Sequence, residues 1–277
     1  MDNFPQNLQE HDSSSNQGIV YLIGAGPGDV ELLTLQAVRI LKLVDLILID
    51  SLVNPEVLQF ARPDAQIINV GKGCGKKSTP QPVINDLMVN NARLGKKIAR
   101  LKGGDPFIFG RGGEELEYLH NNAIKTQIIS GITSGSNVPA CLGIPLTHRD
   151  YAQSVIFITG SSKNHTVNVV WKDIAKPDNT IVIFMGLFKI KEIVTSIIEA
   201  GMPALIPAAA IENGSRKYQR QILDCLKDLP ELVNKAQFIS PTLIVIGKVV
   251  TLSPLWKTEN SSSTSSPLIN SQSVVQL

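Results

Sequence analysis

Residues 18–35 read GIVYLIGAGPGDVELLTL, and this stretch decides the fold. Ile19–Gly24 is short, apolar and rich in β-branched residues, the pattern of a buried strand. It runs into Gly24-Ala25-Gly26-Pro27-Gly28-Asp29, where glycine lets the backbone turn tightly and approach a ligand closely. Thr34 then offers a helix cap, with Leu35, Val38, Ile40 and Leu41 spaced to face a core. Strand, glycine loop and helix together form the opening unit of an α/β sheet that binds ligands beyond its strand ends.

Working outward, the same alternation continues. Asp45–Asp50, Gln66–Gly71, Lys97–Leu101 and Gln127–Ser130 read as strands. Helix signals fall between them: Thr79-Pro80 with Gly95 beyond, and the stretch Glu114–His120. This predicts a mainly parallel, doubly wound N-terminal domain over residues 18–148. From 149 to 254 the pattern changes. Strands are expected at Ser154–Thr159, Thr180–Met185, Leu205–Glu212, Tyr218–Leu226 and Thr242–Val250, with a helix at Lys189–Ala200 stopped by Gly201. Asn213-Gly214 separates two of the extended runs, a turn signal that predicts an antiparallel pair and hence a mixed sheet. Residues 1–17 and 255–277 are polar and without periodicity, and are expected to be disordered tails.

Composition narrows the class. The chain has 277 residues, 43% hydrophobic, with a formal net charge of +2. That balance implies no basic face for nucleic acid or anionic membrane. No apolar run reaches the length of a spanning helix, and the N-terminus lacks the pattern of a secretory signal. Cys74, Cys141 and Cys225 form no CxxC pair or zinc-like spacing, their odd, sparse count suits a reducing cytoplasm, and no metal site emerges from the scattered histidines.

Two glycine motifs mislead. Gly24–Asp29 imitates a dinucleotide fingerprint, and Asp50 imitates its ribose-binding acid. However, the third glycine falls at 28 rather than 29, and Asp29 would repel a pyrophosphate. Gly71-Lys72-Gly73-Cys74-Gly75-Lys76-Lys77-Ser78 approaches a P-loop, but Lys76 stands where glycine is required.

The most informative stretch is RLKGGDPFIFGRGGEE, residues 100–115. Glycines, a proline and several charges follow a strand end there, more than a structural turn needs. The stretch resembles the signature of uroporphyrinogen-III C-methyltransferases. So do GAGPGDVELLTLQA (24–37), DSLVNPEVL (50–58), GITSG (131–135), GIPLTHRDYAQS (143–154) and the MG, IENGSR and QR elements (185–186, 211–216, 219–220).

The resemblance spans about residues 18–252. It implies an α/β, two-domain tetrapyrrole methylase fold with the active site in the cleft between the domains, usually as a homodimer. It further implies S-adenosylmethionine as methyl donor, S-adenosylhomocysteine as product and no metal. Donor contacts would fall on Pro27, Gly103, Gly104, Asp105, Ile108, Thr133, Ser134, Met185 and Gly214. Asp105 suits the donor's ammonium or ribose hydroxyls, because a carboxylate accepts charge-assisted hydrogen bonds.

The implied acceptor, uroporphyrinogen III, is rich in carboxylates. Arginine's planar fork holds such groups in fixed orientation, which makes Arg111, Arg149 and Arg216 the candidates. The family's acid/base pair would fall on Asp50 and Lys72, with Arg111 and Glu114 as the alternative pair. The implied reaction is methylation at ring positions 2 and 7, giving precorrin-2 through precorrin-1, for sirohaem or cobalamin synthesis. With no sirohaem-type dehydrogenase segment in the sequence, the chain is expected to perform the methylation alone. The chain departs from the family pattern at Gly73, Lys77, Ser130, Cys141 and Phe184; the last two stand where tyrosine is common.

Overall fold

The structure is a computed structural model and describes residues 18–71, 79–160 and 169–256. Lys72, residues 1–17 and residues 257–277 lie outside the described residues, and so do the expectations placed on them.

The first sheet contains β1 (Ile19–Gly24), β2 (Leu46–Ile49), β3 (Gln66–Asn69), β4 (Lys97–Lys102) and β5 (Lys125–Ile129). Their order is β3-β2-β4-β1-β5, and every pairing is parallel. Helix α1 (Leu35–Leu41) covers one face, where Ala37, Ile40 and Leu41 meet Ile23, Ile47 and Leu101. Thr34 caps it as its sequence predicts, accepting a 3.1 Å hydrogen bond from the Ala37 N–H. Helices α2 (Gln81–Arg93) and α3 (Gly112–Asn121) cover the other face, where Ile84, Met88 and Leu119 meet Leu22, Leu48 and Ile98.

This arrangement fixes where a ligand can bind. Neighbouring strands β1 and β4 send their following helices to opposite faces of the sheet, so the loops after them separate and open a crevice.

The chain then forms α4 (Ser134–Ala140) and crosses to a second sheet. That sheet contains β6 (Ser154–Thr159), β7 (Asn179–Phe184), β8 (Pro207–Glu212), β9 (Arg220–Cys225) and β10 (Thr242–Ile246), in the order β6-β7-β10-β8-β9. β6 and β7 are parallel and the remaining pairs antiparallel, so the sheet is mixed as expected. One face packs against α6 (Ile190–Glu199) and α7 (Leu229–Lys235) through Ile193, Ile197, Leu229 and Val233. The other receives Val138 of α4 against Val182, Ile211 and Val245, so α4 joins the two halves.

The differences from the sequence expectation are local. Helices α4, α7 and the single turn α5 (Trp171–Ile174) were not predicted: α4 reads SGSNVPA, too polar to show a stripe, and the others are short. β8 and β9 are antiparallel, but the connection spans 213–219 rather than forming a tight Asn-Gly turn. The expected strand Thr242–Val250 stops at Ile246, because Gly247 (φ 152°) turns the backbone into a 3-10 segment over Lys248–Leu252. Leu255 and Trp256, placed in the expected tail, pack against the second sheet's core. No helix among the described residues is long and apolar enough to cross a membrane.

Candidate active site

The crevice is built by three glycine loops that interlock at the ends of β1, β4 and β5. Gly26 and Gly104 exchange backbone hydrogen bonds of 3.2 and 2.7 Å. A Cβ on Gly131 would lie 2.3 Å from the Gly104 carbonyl oxygen, so no other residue fits between these loops. Asp105 stitches them together: Oδ1 accepts from the Phe107 N–H at 2.8 Å and Oδ2 from the Gly131 N–H at 3.1 Å.

The second half of the molecule supplies the opposite wall. Gly214 lies so close to α4 that a Cβ would approach Val138 Cγ1 to 2.4 Å. Arg216 reaches across and donates a hydrogen bond to the Leu52 carbonyl, and burial lowers its pKa. Phe109 and Phe184, one from each half, bring their rings to 4.9 Å. Together the walls enclose a cleft of about 420 Å³.

Every described residue assigned to the donor lines this cleft. Pro27 comes from the first loop, and Gly103, Gly104, Asp105 and Ile108 from the second. Thr133 and Ser134 open α4, where Thr133 Oγ1 accepts from the Gly135 N–H at 3.3 Å. Met185 and Gly214 complete it from the far side. The apolar walls and the few convergent polar groups have the character of a small-molecule site.

The other predicted residues divide. Asp50, Arg111 and Arg216 line the cleft. Glu114 is exposed and outside the lining, but its Oε2 accepts from Arg111 Nη2 at 2.6 Å, and that hydrogen bond raises the Arg111 pKa. Arg149 is exposed on the turn between His148 and Ala152, away from the lining. Phe109, Arg111 and Met185 have φ of 52°, 61° and 54°, so three non-glycine residues of the cleft sit in the left-handed region. Such strain concentrates where surrounding structure must hold a side chain in place.

The sequence model of the tetrapyrrole (corrin/porphyrin) methylases matches residues 19–230. The chain belongs to this family. Among relatives of this chain, the chloroplastic S-adenosyl-L-methionine-dependent uroporphyrinogen III methyltransferase of Arabidopsis thaliana is 47% identical over 241 residues, covering 86% of this chain and 65% of that one. A siroheme synthase of Pseudomonas entomophila is 48% identical over 235 residues, covering 85% of this chain and 51% of its own. The chain therefore spans less than two thirds of either relative. The uroporphyrin-III C-methyl transferase of Thermus thermophilus, solved with S-adenyl homocysteine, superposes with a TM-score of 0.73 at 35% identity, covering 85% of this chain and all of that one.

The structure also reveals charged residues that the sequence left without a role. Arg100 and Lys102 are 2% and 3% exposed, and Glu115 is fully buried. Arg100 Nε donates to Glu115 Oε1 at 3.0 Å, and its Nη2 donates to Asp50 Oδ2 at 3.2 Å. Lys102 Nζ lies 2.9 Å from Glu115 Oε2. Burial, reinforced by the charge of Arg100 and opposed by that of Glu115, pushes the Lys102 ammonium below the ordinary lysine range. The available signal was two charges at a spacing of two in KIARLK, which places both on one face of a buried strand, where each needs a partner.

Proposed function

We propose that this methylase transfers two methyl groups from S-adenosylmethionine to carbons of uroporphyrinogen III, at ring positions 2 and 7, giving precorrin-2 through precorrin-1. The observation that carries this reading is that one cleft gathers the donor-assigned loops together with Asp50, Arg111 and Arg216.

When bound, the donor supplies a methyl group on a positively charged sulfur, open to in-line attack by an electron-rich pyrrole carbon. The residues assigned to hold it are the three glycine loops, which bring backbone polar groups close, and the apolar Ile108 and Met185. Asp105 keeps acceptor capacity on both oxygens beyond its two backbone partners, which suits an ammonium or hydroxyls. Arg111 and Arg216 present guanidinium groups to carboxylates of the acceptor, Arg111 being held in orientation by Glu114. Asp50, half-buried in the cleft lining, accepts the proton whose loss neutralises the cationic ring left when the pyrrole carbon takes the methyl group. Lys72 is the proposed partner in that exchange, with Arg111 and Glu114 the alternative. Most of the acceleration comes from alignment inside a cleft that excludes water.

The product suits sirohaem or cobalamin synthesis. We further propose a homodimer, which sedimentation of the purified chain tests. The cytoplasm is our reading of the dispersed cysteines, although the plant relative's name places that protein in the chloroplast.

A second reading, a methylase of a later corrin intermediate, shares the fold: the cobalt-precorrin-4 methyltransferase structure superposes with a TM-score of 0.74 at 24% identity. The two are separated by offering both acceptors with methyl-labelled donor, anaerobically. Label in uroporphyrinogen III supports the proposal; label only in the later intermediate overturns it.

A further inference from the structure

Asp50 and Lys102 line the cleft, and with Arg100 and Glu115 behind them they form one connected group of four charged side chains from three elements. Asp50 follows β2, Arg100 and Lys102 occupy alternate positions of β4, and Glu115 lies in the first turn of α3. Gln81, the first residue of α2, donates to Glu115 Oε1 at 3.0 Å. Charges this deeply buried are costly unless paired, and here the pairing is unequal. Arg100, Lys102 and Glu115 sum to one excess positive charge, and Asp50 is the group that closes the balance.

Geometry gives the group a direction. Arg100 is immobilised from within: Nε on Glu115 Oε1, and Nη1 on the Leu101 carbonyl at 3.1 Å. Its remaining arm, Nη2, projects to the cleft side and ends on Asp50. Among the described residues, the Asp50 carboxylate has few other holds. Its Oδ1 accepts a long 3.4 Å contact from the Ser51 hydroxyl.

We infer that Arg100 is a positioning residue for the methyl transfer, acting through Asp50, and that Glu115 acts in turn by locking Arg100. This rests on the functional reading above. It assigns the second glutamate of the Glu114-Glu115 pair a role distinct from the first, which clamps Arg111 at the surface. It also separates two levels of the site: Asp50 touches the substrate, whereas Arg100 and Glu115 do not.

The test compares Glu115→Gln, Asp50→Asn and the double variant in the full chain, measuring kcat, KM for uroporphyrinogen III and calorimetric binding of S-adenosylhomocysteine. Glu115→Gln is expected to lower kcat roughly 10²-fold, the cost of a misplaced reacting group, with KM and nucleoside binding little changed. The double variant is expected to be no slower than Asp50→Asn alone.

Because Glu115→Gln leaves two buried cations facing each other, Glu115→Gln/Lys102→Met, which removes one charge of each sign, provides a second route. The same loss of kcat is expected from it. Unchanged kcat, losses that multiply with Asp50→Asn, or loss of S-adenosylhomocysteine binding by both Glu115 variants would each overturn the inference. A wild-type chain that binds the donor but never labels the tetrapyrrole instead overturns the functional reading, and the inference falls with it.

Discussion

Arg216, on the loop between β8 and β9, donates a hydrogen bond to the backbone carbonyl of Leu52, on the loop after β2. The contact joins the two halves of the molecule over the cleft. It reaches further through Asn54, whose Nδ2 donates to the Gly28 carbonyl at 2.8 Å and so connects the loop after β2 to the first glycine loop. A hydrogen bond from a charged group contributes about 1.5–3 kcal/mol. Arg216→Ala is therefore expected to weaken S-adenosylhomocysteine binding roughly tenfold or more, read by calorimetry. Unaltered affinity would show that the cleft holds its shape without this bridge.

Two glycines of the interlocked loops separate conformational cost from steric cost. Gly104 has φ 67°, yet a Cβ there would meet nothing nearer than 3.7 Å. Gly104→Ala is expected to cost only about 1–2 kcal/mol, the penalty of a left-handed non-glycine residue. At Gly131 the added Cβ would collide with backbone at Gly104 in the second loop and at Gly24, the end of β1. Gly131→Ala should force these loops apart, with a larger drop in Tm and loss of donor binding. Similar unfolding midpoints for the two variants would contradict this assignment.

Lys102 predicts a pH dependence whose sign follows from its burial. Its folded-state pKa lies below the ordinary 10.5, so the buried charge costs the folded state. Below the lowered value the proton is bound in both states and the cost is fully present. As pH rises from there towards 10.5, the unfolded chain binds more protons than the folded one and stability increases. Lys102→Met removes this contribution. The Tm of the wild type relative to that of Lys102→Met should rise through the alkaline range, and a flat or falling difference would count against a charged, desolvated Lys102.

Phe109 and Phe184 give a packing prediction across the halves. Their rings lie 4.9 Å apart, and Phe184 also meets Phe157 at 5.8 Å. A double-mutant cycle with Phe109→Ala and Phe184→Ala, read by denaturant unfolding, should return a coupling of about 1 kcal/mol. Simple additivity would mean that the rings are adjacent without stabilising each other. The Phe184 ring also packs on α4, its Cζ 2.7 Å from the position a Cβ on Gly135 would take.

Much of the fold was legible because local signals and tertiary structure agree. Ile19–Gly24 begins and ends where its apolar run does, since burial on both faces leaves no polar residue to blur the ends, and the half-buried edge strand Ser154–Thr159 is bounded as its β-branched run indicates. α4 was illegible because its helix depends on the Thr133 cap and on Val138 meeting the second sheet, not on an apolar stripe. At the site, glycine-rich loops could be read individually, whereas their interlocking depends on strand order. Arg149 lies in a family-like segment, on an exposed turn that is not among the residues lining the cleft. Arg100, Lys102 and Glu115 were in view within the quoted signature, but their partnership is set by how α3 packs on β4.

The most direct test is the number of methyl groups the methylase adds to each acceptor. Purified protein, incubated anaerobically with uroporphyrinogen III and methyl-labelled S-adenosylmethionine, is followed by mass spectrometry of the tetrapyrrole. The account predicts a singly labelled species that rises and is consumed, ending at two labels per macrocycle, with Asp50→Asn greatly slowed in both steps. An unlabelled macrocycle, from protein that demonstrably binds S-adenosylhomocysteine, would contradict it.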